Sequence, residues 1–291
     1  MKLKRVMALA LATAMVASVA GCAKVKSISN DDFNSACDKQ GAEEVDYDEV
    51  GDDEDLLEDG YYTVVDADQI EEIMSDPYAS MYMSQIDVPL DYDDIEIMSL
   101  FVKAEGFDDL SDIEDPEDLA DAQCNVVIGM QITLTEEDMV SDLFDGIADA
   151  LDDNLDYDVA DFSNSEYYTG KNEGFIKINV SAQDLVAAFR ESDIYGYLSD
   201  MGEDMDDLED VLDNLNGSIC IAIYAKDNNV VIVAGFCLGE ELSLLDSFCS
   251  DLGVQSPSKV PSNAEFSQAI IDAVDDSLGS LMALSAAYTD N

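Results

Sequence analysis

The sequence predicts an α+β body built by tandem duplication of one unit: helix, two strands, helix, two strands, around one or more sheets, with a C-terminal helix. Three observations predict it. The first is self-similarity, which changes an architectural reading more than any local pattern. Asn125-Val126-Val127-Ile128 recurs as Asn229-Val230-Val231-Ile232, and the offset of 104 residues continues through Leu134/Leu238, Glu136-Glu137/Glu240-Glu241, Asp142/Asp246 and Phe144/Phe248. Upstream matches keep the same order: Asp46-Tyr47-Asp48 with Asp156-Tyr157-Asp158 at 110, Gly60-Tyr61 with Gly174-Phe175 at 114, and 67–70 with 182–185 at 115. Val102-Lys103 then matches Ala225-Lys226 at 123, so the first copy is expected to carry 19 extra residues after Lys103. The second copy is expected to carry its own extra residues near 201–216.

The second observation is helical periodicity. Between Thr135 and Leu151, Met139, Val140, Leu143, Phe144, Ile147, Ala148 and Leu151 recur every three or four residues, one stripe on a helix. Thr135 followed by Asp138 approximates a capping box at its start. Residues 240–252 repeat that phase with Leu242, Leu245, Phe248, Cys249 and Leu252. Another helix is expected from about Ser181, with Leu185, Val186 and Phe189 inward, and one in the first copy opening at Ala67. The third observation is strand pattern: 218–226 and 229–238 are apolar at both alternating sets of positions and are joined by Asp227-Asn228, a hairpin signal. Strands apolar on both sides are expected to be covered on both sides. After Ser256-Pro-Ser-Lys-Val-Pro261, which reads as a linker, Phe266, Ile270, Ala273, Val274, Leu278, Leu281 and Met282 form a final helical stripe that packs on the core. The expected organisation is a leader over 1–21, a tether over 22–30, repeats over 31–134 and 135–238, and C-terminal helices over 239–291.

Composition then narrows function. The chain has 67 Asp plus Glu against 12 Lys plus Arg and no His or Trp, a formal charge of −55. Such a surface repels nucleic acid, whose binding rests on Lys and Arg at phosphates. The missing imidazole removes His-dependent triads and His-ligated zinc. With 47% apolar residues the chain nevertheless has enough material for a core, unlike a disordered acidic tail.

The N-terminus gives an address. Met1-Lys2-Leu3-Lys4-Arg5 precedes an apolar run from Val6 to Ala20 interrupted only by Thr13 and Ser18. That run is too short to cross about 30 Å of hydrocarbon comfortably and suits a secretory leader. The Val19-Ala20-Gly21-Cys22 that follows resembles the lipobox of bacterial membrane lipoproteins. The resemblance covers these first 22 residues alone. It implies cleavage before Cys22, lipidation of Cys22 by palmitate-type chains, and placement on the outer face of the bacterial cytoplasmic membrane. Acyl chains contribute about 0.8 kcal/mol per buried CH₂, enough for two or three to hold a body with no spanning helix after Cys22. Cleavage would leave 9 basic against 67 acidic side chains, while Lys24 and Lys26 would stand near anionic headgroups.

Candidate chemistry is sparse. The remaining cysteines, Cys37, Cys124, Cys220, Cys237 and Cys249, are odd in number and cannot all pair. They read as buried free thiols, with a single disulfide of unspecified pairing as the alternative. No C-x-x-C occurs, so no thiolate zinc or redox pair is indicated. An EF-hand register from Asp46 fails at Val50 and Leu57, and 52–59 reads as a solvated acidic loop. Ser256-x-x-Lys259 matches a nucleophile motif formally, but Pro257 and Pro261 oppose the helix it needs. Tyr61-Tyr62 and Tyr167-Tyr168 fall near equivalent places in the copies and read as aromatics beside a sheet. Met81-Tyr82-Met83 reads as core filler rather than a copper site. No catalytic, cofactor or metal residue is assigned. The expected function is a non-enzymatic acidic cell-surface lipoprotein engaging an envelope or extracellular partner, which is basic if charge selects it. The alternatives are an extracytoplasmic carboxylate-dependent hydrolase and a low-affinity cation-binding protein.

Overall fold

The computed structural model describes residues 25–46, 56–75, 92–106, 123–155, 157, 167–200, 205–239 and 242–275. In chain order these form α1 (Asn30–Lys39), β1 (Glu43–Glu44), α2 (Leu56–Asp59), β2 (Tyr61–Asp66), α3 (Ala67–Ser75), β3 (Ile95–Glu105) and β4 (Cys124–Leu134). The chain continues through α4 (Met139–Leu155), β5 (Tyr167–Gly170), β6 (Glu173–Ser181), α5 (Ala182–Arg190), α6 (Asp193–Asp200) and α7 (Met205–Asn214). It closes with β7 (Gly217–Lys226), β8 (Asn229–Leu238), α8 (Ser243–Leu252) and α9 over 264–275. Among the described residues all strands join one eight-stranded sheet in the order β1-β2-β3-β4-β8-β7-β6-β5. Only the two-residue β1 runs parallel to its neighbour.

That order is the duplication made visible. β2, β3 and β4 of the first copy meet β8, β7 and β6 of the second in mirrored sequence, so β4 and β8 form the seam. At the seam Gly129 pairs with Val233 and Val126 with Phe236. With the 104-residue offset, Gly129 and Val233 are each other's counterparts, and a pseudo-two-fold axis passes between them, perpendicular to the sheet. Following the register outward makes Val102 the counterpart of Ile223 and Tyr62 that of Lys177. The strand pairs therefore correspond at offsets of 121 for β3/β7 and 115 for β2/β6. The match of 67–70 with 182–185 survives. Those of Val102-Lys103 and Gly60-Tyr61 slip by two residues and by one, because pairing, not local identity, fixes register. The helix starts agree with the corrected register. Ser181 caps α5 by accepting from Asp184 N at 3.1 Å, while its counterpart Asp66 accepts from Gln69 N at 3.0 Å at the head of α3.

Two hydrophobic layers cover the sheet. On the first face, α1 and α8 bury Phe33, Cys37, Leu245, Phe248 and Leu252 against Phe101, Val127, Val233 and Cys237. On the second face, α4 and α9 bury Val140, Phe144, Phe266 and Ala269 against Ile132, Ile176 and Val230. The packed body begins before Asn30, since Val25 and Ile28 of the expected tether are buried in the first layer.

Other details differ from expectation. Helix α4 starts at Met139, four residues after Thr135, so no capping box forms there. The expected linker 256–261 is instead a packed 3₁₀ turn over Pro257–Lys259 with Ser256, Pro257 and Val260 buried. Gly253, with φ of 76°, ends α8 in the left-handed conformation that only glycine adopts without cost.

Candidate interaction surface

The sheet's two faces are unequally covered. On the second face, β4, β8 and β7 present two adjacent cross-strand rows, Val126-Phe236-Ile219 and Ile128-Ala234-Ile221. Ile128 is 47% exposed, Ile219 41% and Ile221 38%, while Val126, Ala234 and Phe236 are half-buried. These rows are one contiguous apolar strip in the middle of the sheet. Among the described residues, coverage on both sides of every strand, as the alternation suggested, is thus not achieved: the other half of this face lies under α4 and α9, while the strip stays exposed.

The pseudo-two-fold axis sharpens the contrast. The counterpart of Val126 is Val230, wholly buried, and that of Phe236 is Ile132, 6% exposed. Both counterparts pack in the layer formed with α4. The short α2 contacts β3, and α8, the sequence counterpart of α4, lies on the opposite face.

Other candidate groups resolve into architecture. All five cysteines Cys37, Cys124, Cys220, Cys237 and Cys249 are free and buried. Burial raises the Cys220 thiol to about 12, with Cys237, Asp246 and Cys249 nearby adding to the effect. Cys249 is likewise raised to about 12, chiefly by burial. Such thiols are protonated at neutral pH and are poor nucleophiles. Ser256 and Lys259 do not form a nucleophile and base. Lys259 and Ser258 both donate to the Asp246 carboxylate of α8, and Ser256 lies 3.0 Å from Ser258 across their hydroxyl oxygens. Burial opposes ionisation of Asp246, but the hydrogen bonds from Lys259, Ser256 and Ser258 outweigh it and lower its pKa.

A polar cluster that the sequence reading missed lies beneath α1. Buried Ser99 accepts from Asn30 Nδ2 at 2.7 Å and donates to Asn34 Oδ1 at 2.9 Å. Buried Gln131 accepts from Asn30 Nδ2 at 3.0 Å and donates to Thr133 Oγ1 at 3.0 Å and Asn229 Oδ1 at 3.1 Å. Its members satisfy one another, so it fixes α1 on the sheet and leaves no hand free for a ligand.

The tyrosine pairs are not counterparts. Tyr62 is buried on the first face with its hydroxyl at Asp38 and Glu44, whereas Tyr168 is exposed on edge strand β5 against Phe175. Among the described residues, no group of three or more Cys, Asp or Glu is placed to hold a metal ion, and no helix is long and apolar enough to cross a membrane. Cys22, most of the Asp46 loop and Met81 to Met83 lie outside the described residues. Comparison with protein-family models, curated proteins and solved structures finds no match for this chain.

Proposed function

We propose that this chain is an acidic bacterial lipoprotein, anchored through Cys22 to the outer face of the cytoplasmic membrane, that acts by binding an envelope or extracellular partner rather than by catalysis. The observation that carries the binding reading is the apolar strip around Ile128, Ile219 and Ile221 on an otherwise densely charged molecule. Contiguous exposed apolar surface is costly to a solubilised body and marks interaction sites. The lipobox-like Val19-Ala20-Gly21-Cys22 supports the address.

Both parts are tested in intact bacteria expressing the full chain. Alkyne-palmitate is expected to label the wild-type chain and not Cys22→Ala; label retained by the variant, or absent from the wild type, refutes the anchor. A photo-crosslinking residue at 128 is expected to give a discrete adduct that the same residue at exposed 168 does not. Identical patterns at both positions refute the binding face.

A further inference from the structure

The geometry points to a basic amphipathic helix of a partner protein as the occupant of the open strip, an inference that rests on the binding reading above and names its partner class. The first ground is backbone satisfaction. β4, β8 and β7 each have hydrogen-bonded neighbours on both sides, so an incoming strand finds no free edge at the strip. Whatever lies on this face must arrive with its own backbone bonds made. A helix does so. Three strands spaced about 4.8 Å apart offer a bed close to the width of one helix with its side chains, about 10 Å.

The second ground is the pseudo-symmetry. The counterpart half of the same face shows what such a surface accepts: α4 lies there, with Val140, Leu143 and Phe144 inward. The four-residue α2 is too short to do the same on the open half.

Charge selects among helices. Exposed Glu58 and Asp59 belong to α2, which contacts β3, the neighbour of β4. The sequence 107–122 itself carries eight acidic residues and no basic one. A second copy of this chain, or that acidic sequence itself, would bring like charge to like, which costs free energy at contact. A helix with leucine-like side chains on one side and Lys or Arg flanking them brings both the apolar area and the opposite charge.

The test uses the full mature chain and a fluorescein-labelled Leu/Lys amphipathic peptide of about five turns. Its control has the same composition in an order without an apolar side. Anisotropy at roughly 0.15 M salt limits charge attraction to within about 8 Å. The amphipathic peptide is expected to bind at least about tenfold more tightly than its control, and the double variant Ile128→Thr, Ile221→Thr to lose that advantage while leaving control binding unchanged. Threonine keeps strand preference at these exposed positions, so the variant stays folded, checked by an unchanged melting midpoint. Equal binding of the two peptides, or an advantage untouched by the variant, overturns the inference. So does an advantage that rises about tenfold when 107–122 is replaced by Asp-Asn or the chain is ended after Asp275, because the chain's own segment then holds the strip. A wild-type dimer that the double variant converts to monomer overturns it in favour of a second copy. An apolar dye read in the same samples separates the two levels: wild-type emission above the variant's with no peptide preference rejects the helix and keeps the binding face, and equal emission rejects both.

Discussion

Helices α4 and α8 follow counterpart strands, begin 104 residues apart and carry the same apolar phase, with Phe144 matching Phe248. They nevertheless lie on opposite faces of the sheet. The difference is traceable to the floor beneath each. Phe248 packs where Gly129 of β4 has no side chain, stacked on Phe101 with ring centroids 4.4 Å apart and edge-on to Phe33 of α1 at 5.6 Å. Leu245, one turn earlier, occupies the space above Gly235 of β8. Phe144 instead sits over Gly174 of β6, on the other face. The pseudo-two-fold relation would place a glycine opposite each of these, but Gly129 faces Val233 and Gly235 corresponds to Gln131. Duplication has thus kept the strands and their order, while the positions of a few glycines decide where each helix can approach.

If that account is right, truncating the two aromatics should separate them. Phe248→Ala is expected to cost about 3–5 kcal/mol, the range for large-to-small changes in a closed core, and more than Phe144→Ala because two aromatic contacts are lost with it. Urea denaturation of both variants measures this. Equal losses would break the claim that its two aromatic contacts set Phe248 apart from Phe144.

A smaller effect probes the floor directly. A Cβ at position 129 would lie 2.7 Å from the Phe248 ring and 3.1 Å from Phe33, so Gly129→Ala is expected to destabilise by about 1–3 kcal/mol through overpacking. Adding Phe248→Leu should recover part of that loss, since it removes the ring edge that clashes. A double variant simply as unstable as the sum of its parts would show that the glycine matters for some reason other than this contact.

Much of this was legible beforehand. The 104-residue offset located both members of the seam, β4 and β8, and the Asp227-Asn228 turn set the β7–β8 register that the structure shows. Helix phases were also readable, because apolar spacing survives whatever a helix packs on. Helix placement was not. A stripe such as Leu245, Phe248 and Leu252 says that one side is buried and is silent about which face of a sheet buries it. For the same reason the open strip stayed hidden. Ile128, Ile219 and Ile221 look like interior strand residues, and their exposure depends on α8 having gone elsewhere. The Ser99–Gln131–Asn30 cluster escaped notice because its members are 32 and more residues apart and each alone resembles an ordinary polar strand or helix position.

The smallest expected effect contrasts two aspartates at the same place in the repeat. Asp142 of α4 is exposed, whereas Asp246 of α8 ties that helix to the 3₁₀ turn through Ser258 and Lys259. Asp142→Asn should leave stability within about 0.5 kcal/mol. Asp246→Asn should cost about 1 kcal/mol at pH 7, a figure reduced for the exposure of the Lys259 ammonium. The sign with pH follows from the lowered pKa of Asp246 in the folded chain. The unfolded chain binds the proton more readily, so the stabilisation is fully present above the ordinary carboxyl range near 3.9 and is lost as pH falls through the lower folded value. The wild-type advantage over Asp246→Asn should accordingly hold from neutral pH down to about pH 4 and shrink below it. Denaturation midpoints of both chains across that range read it directly. An advantage that instead grew on acidification would mean that Asp246 is held in its protonated form and that Lys259 does not hold α8 to the turn.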